Sequence, residues 1–280
     1  MTTEPRPGEI KQLGCLIASG ADAAEFLQAQ LSADLVSLEV GQLALAGWHN
    51  PQGRVRCVLW AGPLESGNWR LVTETNQLDP LATGLSRFIL RSKARLAEEP
   101  EAGVMVAANH SVPHSPDSSQ WALPGDAGQS ICVPAPQNAD GLDPRAAIAA
   151  LVAAGVPRLD ATLSEQFLGQ SLNLDLLTAI SFTKGCFPGQ EVLARLHNLG
   201  RVKRRLLRFT GQGAPPQVGE SIINGEGEQR GQVVCCSPQS EFLASVELRG
   251  QGQALFLTGS QTPLTELPLP YRVPELDDDQ

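Results

Sequence analysis

The chain has 280 residues, a formal net charge of −9, a hydrophobic fraction of 42% and a charged fraction of 18%. These values exclude disordered and fibrous classes and suggest two or three compact units. No apolar run approaches the ~20 residues of a membrane-spanning helix. The opening M-T-T-E-P-R-P-G-E lacks a basic segment followed by an apolar one, so no signal peptide is expected.

Six cysteines stand at positions 15, 57, 132, 186, 235 and 236 without a C-x-x-C pair or a His/Cys cluster. This argues against a preformed zinc site and for reduced thiols in a cytoplasmic setting. Adjacent Cys235 and Cys236, in a strand-like V-V-C-C-S, should point to opposite faces.

In chain order, Ala21–Leu38 reads as an amphipathic helix, with Asp22 and Glu25 as a capping box and Phe26, Leu27 and Leu31 inward. Gln42–His49 and Arg54–Ala61 read as strands joined by Asn50-Pro51-Gln52-Gly53, a type I turn pattern. Asn68–Thr73 is a further strand. Asp79-Pro80 marks a helix start, with Leu81, Leu85, Phe88 and Ile89 inward. Residues 42–110 thus form a small α+β unit. Ser111–Asp143 reads as loops plus two short strands, and Asp143-Pro144 opens another helix, with Ile148, Leu151 and Val152 inward up to Gly155. Beyond Arg201, Leu206–Phe209, Gln232–Cys236, Phe242–Leu248 and Ala254–Leu257 suggest a small antiparallel barrel or sandwich, followed by a disordered tail, Glu275–Gln280.

The most informative segment is Ser181–Gly200, S-F-T-K-G-C-F-P-G-Q-E-V-L-A-R-L-H-N-L-G. Pro188 suits the first position of a helix whose apolar stripe is Val192, Leu193 and Leu196, with Gly200 as a left-handed stop. A helix start just after Cys186, and Lys184 two residues before it, would both favour a thiolate. Gln190 and Glu191 add hydrogen-bonding groups, and Gly185 and Gly189 point to a tight turn or close backbone approach. A reactive or ligating cysteine and an ordinary packed one are both open on these grounds.

Arg195, Arg201, Lys203, Arg204, Arg205 and Arg208 follow in one stretch. They fit either an anionic ligand or an exposed basic strand balanced by the acidic tail. Direct nucleic-acid binding is not expected: the chain is acidic overall and this cluster has no interleaved aromatics.

K-G-C-F-P-G-Q-E resembles the K-G-C-[YF]-x-G-Q-E signature of the YgfZ-type folate-binding proteins, relatives of the glycine-cleavage aminomethyltransferase. The resemblance extends to F-L-Q-A-Q-L-S-A-D-L, H-N-P-Q-G-R-V, R-F-I-L-R-S-K-A and A-R-L-H-N-L-G-R-V-K-R-R-L. Ala29, Ser32 and Phe187 replace the family's commoner glycine, threonine and tyrosine, and the R-x-G-Y-T-G-E motif of true aminomethyltransferases is absent.

The resemblance implies an α+β, aminomethyltransferase-like ring of three subdomains. Residues 1–41 and 111–200 would form the folate-binding unit, 42–110 a ferredoxin-like insert and 201–274 a C-terminal antiparallel β-barrel. It implies a monomeric tetrahydrofolate-binding factor for assembly or repair of iron–sulfur enzymes, including tRNA-modifying ones. Its partners would be assembly proteins and client enzymes.

Cys186 and Lys184 would act, Cys186 as transient ligand of a shared cluster. Gly185, Phe187, Gly189, Gln190, Glu191, Arg195 and Arg204 would line the folate site. The alternative is a folate-dependent one-carbon transferase, in which a carboxylate does the acid–base work.

Overall fold

The computed structural model describes residue 10 and residues 12–100, 102–108, 118–125, 128–133, 143–213, 215–249 and 253–274. The tail from 275 and residues 109–117, 126–127 and 134–142 lie outside these, while the two short strands expected within 111–143 are present at Ser119–Ala122 and Gln129–Val133.

β1 (Leu13–Ser19) runs through Gly20 into α1 (Ala23–Gln30), followed by β2 (Ala44–His49), β3 (Val55–Pro63), β4 (Trp69–Glu74), α2 (Leu78–Ser86) and β5 (Arg95–Glu98). The strands make one antiparallel sheet in the order β2-β3-β4-β1-β5. Both faces are buried, and alternation sorts the side chains. Leu16, Ala18, Leu59 and Ala61 face the cluster with Phe26, Leu27, Leu81 and Leu85 of the two helices. Leu13, Cys15, Val58 and Trp60 face the central core.

The expected boundary between residues 41 and 42 runs through this sheet. β1 pairs with β4 from Leu13 to Ala18 and with β5 from Leu16 to Ser19. Hydrophobic patterning shows which face a strand buries but not which strand lies beside it.

A second sheet, of β6 (Met105–Ala108), β7 (Ser119–Ala122) and β8 (Gln129–Val133), has the order β6-β8-β7. Arg70 ties it to the first sheet. Its guanidinium donates to both carboxylate oxygens of Glu99 at 2.8 Å, to Ser119 Oγ and to the Val133 carbonyl. α3 (Pro144–Ala153) begins as expected, with Asp143 accepting from the Arg145 N–H. Gly155 ends it at φ +68°.

α4 (Gln190–Leu199) leads into β9 (Arg204–Thr210), β10 (Ser221–Asn224), β11 (Gln229–Cys236), β12 (Glu241–Glu247), β13 (Leu255–Leu257) and β14 (Thr265–Leu267). This sheet has the order β13-β10-β11-β12-β9-β14. It curls into a half-barrel, and the Leu264 N–H donates to the Leu255 carbonyl near its two edges. Cys235 enters the central core while Cys236 packs against the core of this last unit, the opposite-face arrangement read from the sequence.

Several local expectations differ from the structure. α1 stops at Gln30 rather than Leu38, because Ser32 is claimed from two sides. Its hydroxyl donates to the Ala179 carbonyl and accepts from the Gly47 N–H, and its carbonyl accepts from the Ser181 N–H. Asp22 does not cap α1; its carboxylate accepts from the Lys93 N–H instead. α2 grows out of a 3-10 turn at Thr75–Gln77, so Asp79-Pro80 lies inside its first turn. Phe88, expected inward, is 46% exposed.

Candidate functional site

Two of the segments singled out in the sequence meet at the K-G-C-F-P-G-Q-E loop. The first contact is with the end of α1. Lys184 Nζ donates to the carbonyls of Gln28, Leu31 and Ala33 at 2.5, 2.7 and 2.8 Å. These include carbonyls that a helix end leaves without partners. Burial pulls the Lys184 ammonium down to about 8, with Asp34 opposing part of the effect. The same ammonium lies 5.6 Å from the Phe187 ring centroid. Lys184 therefore anchors the loop to α1.

The second contact is with the Asn50–Gly53 hairpin turn. That turn forms as predicted: the Gly53 N–H donates to the Asn50 carbonyl, and Asn50 Oδ1 accepts from the Gln52 and Arg54 N–H groups. Gly189, at φ +83°, lies against it; a Cβ there would stand 2.6 Å from the Asn50 carbonyl oxygen and 2.8 Å from Gly53 Cα. Because Gly189 is the left-handed residue preceding α4, Pro188 is not its first residue. Helix α4 therefore starts four residues after Cys186, at Gln190. Gly200 at the far end is extended, with φ −104°.

Between these anchors the chain swings outward. Gly185 has open space where a Cβ would stand. Cys186 is exposed, alone among the six free cysteines: Cys15, Cys57, Cys132 and Cys235 are buried and Cys236 is half-buried. Burial pushes the Cys57 and Cys132 thiols up to about 12. Phe187 turns inward, 6% exposed. Gln190 closes the loop from its N–H to the Phe187 carbonyl and from Nε2 to the Lys184 carbonyl.

α4 buries Leu193 and leaves a cleft of about 450 Å³ beside it, lined by Leu168, Glu191, Val192, Arg195, Leu196, Leu199 and Gly200. Two predicted binding residues, Glu191 and Arg195, thus border one cavity. Arg204 points elsewhere, into an ion pair with Glu247 at 2.8 Å. Arg205 is buried against Asp175 at 2.6 Å, and Arg208 pairs with Glu241. Half of the basic cluster is therefore neutralised by carboxylates of the fold. Among the described residues no group of three or more His, Cys, Asp or Glu side chains could hold a metal.

Sequence reasoning passed over His49, on β2 behind the loop. It is 1% exposed, its ring centroid is 6.1 Å from that of Phe187, and among the described residues neither ring nitrogen has a hydrogen-bond partner. Gly47 and Gly169 make room for it; a Cβ on Gly169 would come within 3.0 Å of Nε2. Burial pulls its pKa from 6.5 to about 4, with the Gly47 backbone opposing.

The unfolded chain therefore binds this proton at a pH where the folded protein does not. The stability from a neutral His49 is fully present above pH 6.5 and is lost as pH falls towards 4. The expected loss is about 3 kcal/mol. His49→Leu should be near neutral in urea unfolding at pH 7 and should remove that share of the acid loss. An unchanged slope between pH 6.5 and 4.5 would contradict it.

No family model matches the chain. The tRNA-modifying protein YgfZ of Yersinia enterocolitica is 25% identical over 92% of this chain and 89% of its own length. That of Sodalis glossinidius is 26% identical over 73% and 71%. An uncharacterised protein of Haemophilus influenzae reaches 30% identity over 71% of each chain. The chain belongs to the YgfZ family. Its fold is also that of the glycine cleavage system aminomethyltransferase T from Bartonella henselae, at a TM-score of 0.67 over 94% of this chain and 84% of the other, with 15% identity. The YgfZ signature is thus seen as a loop clamped at both ends, with its cysteine displayed between the clamps.

Proposed function

We infer that this protein binds a reduced folate and serves the assembly or repair of iron–sulfur enzymes, tRNA-modifying ones among them, through Cys186. The observation that carries the reading is the clamped loop. Lys184 and Gly189 hold its two ends while the exposed thiol stands free between them. Relatives named as tRNA-modifying proteins support the tRNA connection, and the aminomethyltransferase-like fold supports folate.

The cleft beside α4 fits such a ligand in kind, with apolar walls from Leu168, Val192, Leu196 and Leu199 for a planar ring. Arg195 at its border is the cation placed for the carboxylate tail, whereas the charge of Arg204 is already met by Glu247. Bound folate would supply one-carbon or redox chemistry. The protein's part is to hold it and to present the thiol. One thiolate cannot satisfy a cluster that usually takes four ligands, so a partner or a small thiol completes the set.

Calorimetric titration with tetrahydrofolate should give saturable heat, weakened several-fold by Arg195→Ala. No heat up to millimolar ligand would overturn the folate reading. Turnover with an aminomethyl or methyl donor would favour a one-carbon transferase instead.

A further inference from the structure

The segment R-F-I-L-R-S-K-A-R, Arg87–Arg95, carries charge that the fold does not use. It runs from the end of α2 into β5, an edge strand of the first sheet. Arg87, Arg91, Lys93 and Arg95 are all exposed. Among the described residues, the ion pairs of this protein involve Arg56, Arg70, Arg158, Arg204, Arg205, Arg208 and Arg230, and none of these four. The Asp22 carboxylate accepts from the Lys93 backbone N–H and not from its ammonium.

Between the cations stand Phe88, 46% exposed, and Leu90, 89% exposed, while Ile89 packs against the helix–sheet core and fixes the turn. Arg87 is explained by the negative end of the α2 dipole, whose effect fades within one turn. Arg91, Lys93 and Arg95 lie beyond that reach.

We propose that residues 87–95 form a docking surface for RNA with unpaired bases. Four cations within nine residues match a run of phosphates, and a half-exposed ring among them offers a stacking face for a base. Three of the four are arginines, whose planar guanidinium groups both pair with phosphate and stack. The expectation against nucleic-acid binding rested on the acidic overall charge and on the 201–208 cluster, where Arg204, Arg205 and Arg208 are paired with carboxylates. The 87–95 segment has what that cluster lacks, an aromatic side chain between its exposed cations. A membrane fits less well, because two exposed apolar side chains give little area to insert.

The proposal draws on the tRNA-modification reading only for its probe. It does not depend on folate or Cys186, so its failure would leave those readings standing. The test is fluorescence anisotropy of a labelled, unmodified tRNA transcript with the full chain, without folate, across a salt series. Four phosphate contacts predict a log–log salt slope of roughly −3.

Arg91→Ala/Lys93→Ala/Arg95→Ala should weaken binding at least about tenfold and flatten the slope towards −1. Phe88→Ala should weaken it about fivefold or more with the slope unchanged. Arg201→Ala/Lys203→Ala, at two exposed cations of the stretch after the signature, should change little. All the substituted side chains are exposed, and matched melting temperatures would confirm intact folds. Absence of binding at low salt, equal loss from the 201/203 variant, or binding to phosphatidylserine vesicles in place of RNA would each overturn the proposal.

Discussion

Gly189→Ala should destabilise the protein by about 3 kcal/mol or more and release the cysteine loop. Two costs add. A left-handed conformation costs a non-glycine residue roughly 1–2 kcal/mol, and overpacking typically costs about 1–3 kcal/mol more. The clash here is with backbone, since the added methyl would stand 2.6 Å from the Asn50 carbonyl oxygen and 2.8 Å from Gly53 Cα. Neither can swing away as a side chain would, because the Asn50 carbonyl holds the Gly53 N–H in the hairpin turn. Gly185→Ala is the matched control. Its Cβ would meet nothing within 4 Å, so its cost should stay below about 1 kcal/mol. Urea unfolding of the two variants decides the point, and equal stability would show that the turn yields.

Cys186→Ser should abolish support of iron–sulfur client enzymes while leaving the fold intact. The side chain is exposed, so a change of one atom has little packing consequence. Serine neither ionises near neutral pH nor binds iron well. The measurement is client-enzyme activity in cells lacking the endogenous gene, complemented at matched protein level. Full rescue by the serine variant would remove the thiol from the mechanism and favour carboxylate-driven one-carbon transfer. Lys184→Ala should behave differently. It withdraws a cation from three carbonyls at the end of α1, so a fall in thermal stability should accompany any loss of client activity.

Features encoded locally were readable from the chain. Asn50-Pro51-Gln52-Gly53 makes its turn through its own backbone and the Asn50 side chain, and Asp143-Pro144 caps its helix without outside help. Four of the six C-terminal strands follow from short apolar runs, and the opposed faces of Cys235 and Cys236 from alternation.

Expectations failed where a distant residue intervened. Helix α1 ends early because Gly47, Ala179 and Ser181 take up the groups of Ser32. β1 sits between β4 and β5, so the boundary expected at residue 42 cuts through one sheet. The arginines after the signature looked free because their partners, Asp175, Glu241 and Glu247, lie 30 to 43 residues away in sequence. At the site, the motif pointed to the loop whose cysteine is exposed. It could not show that Lys184 faces α1 or that His49 lies behind Phe187.

The way the loop is clamped bears on how far such a chain can drift. Lys184 grips main-chain carbonyls, and Gly189 rests on the main chain of the hairpin turn. Neither contact depends on which side chains the supporting segments carry, only on the path they trace. Ala29 and Ser32 can therefore stand where the family pattern that this chain resembles has glycine and threonine without moving the carbonyls that hold the lysine. Selection on such a site acts on a few loop residues and on backbone course, leaving the scaffold free to change. That division suits a family in which 25% identity spans 92% of this chain while the eight-residue signature remains readable.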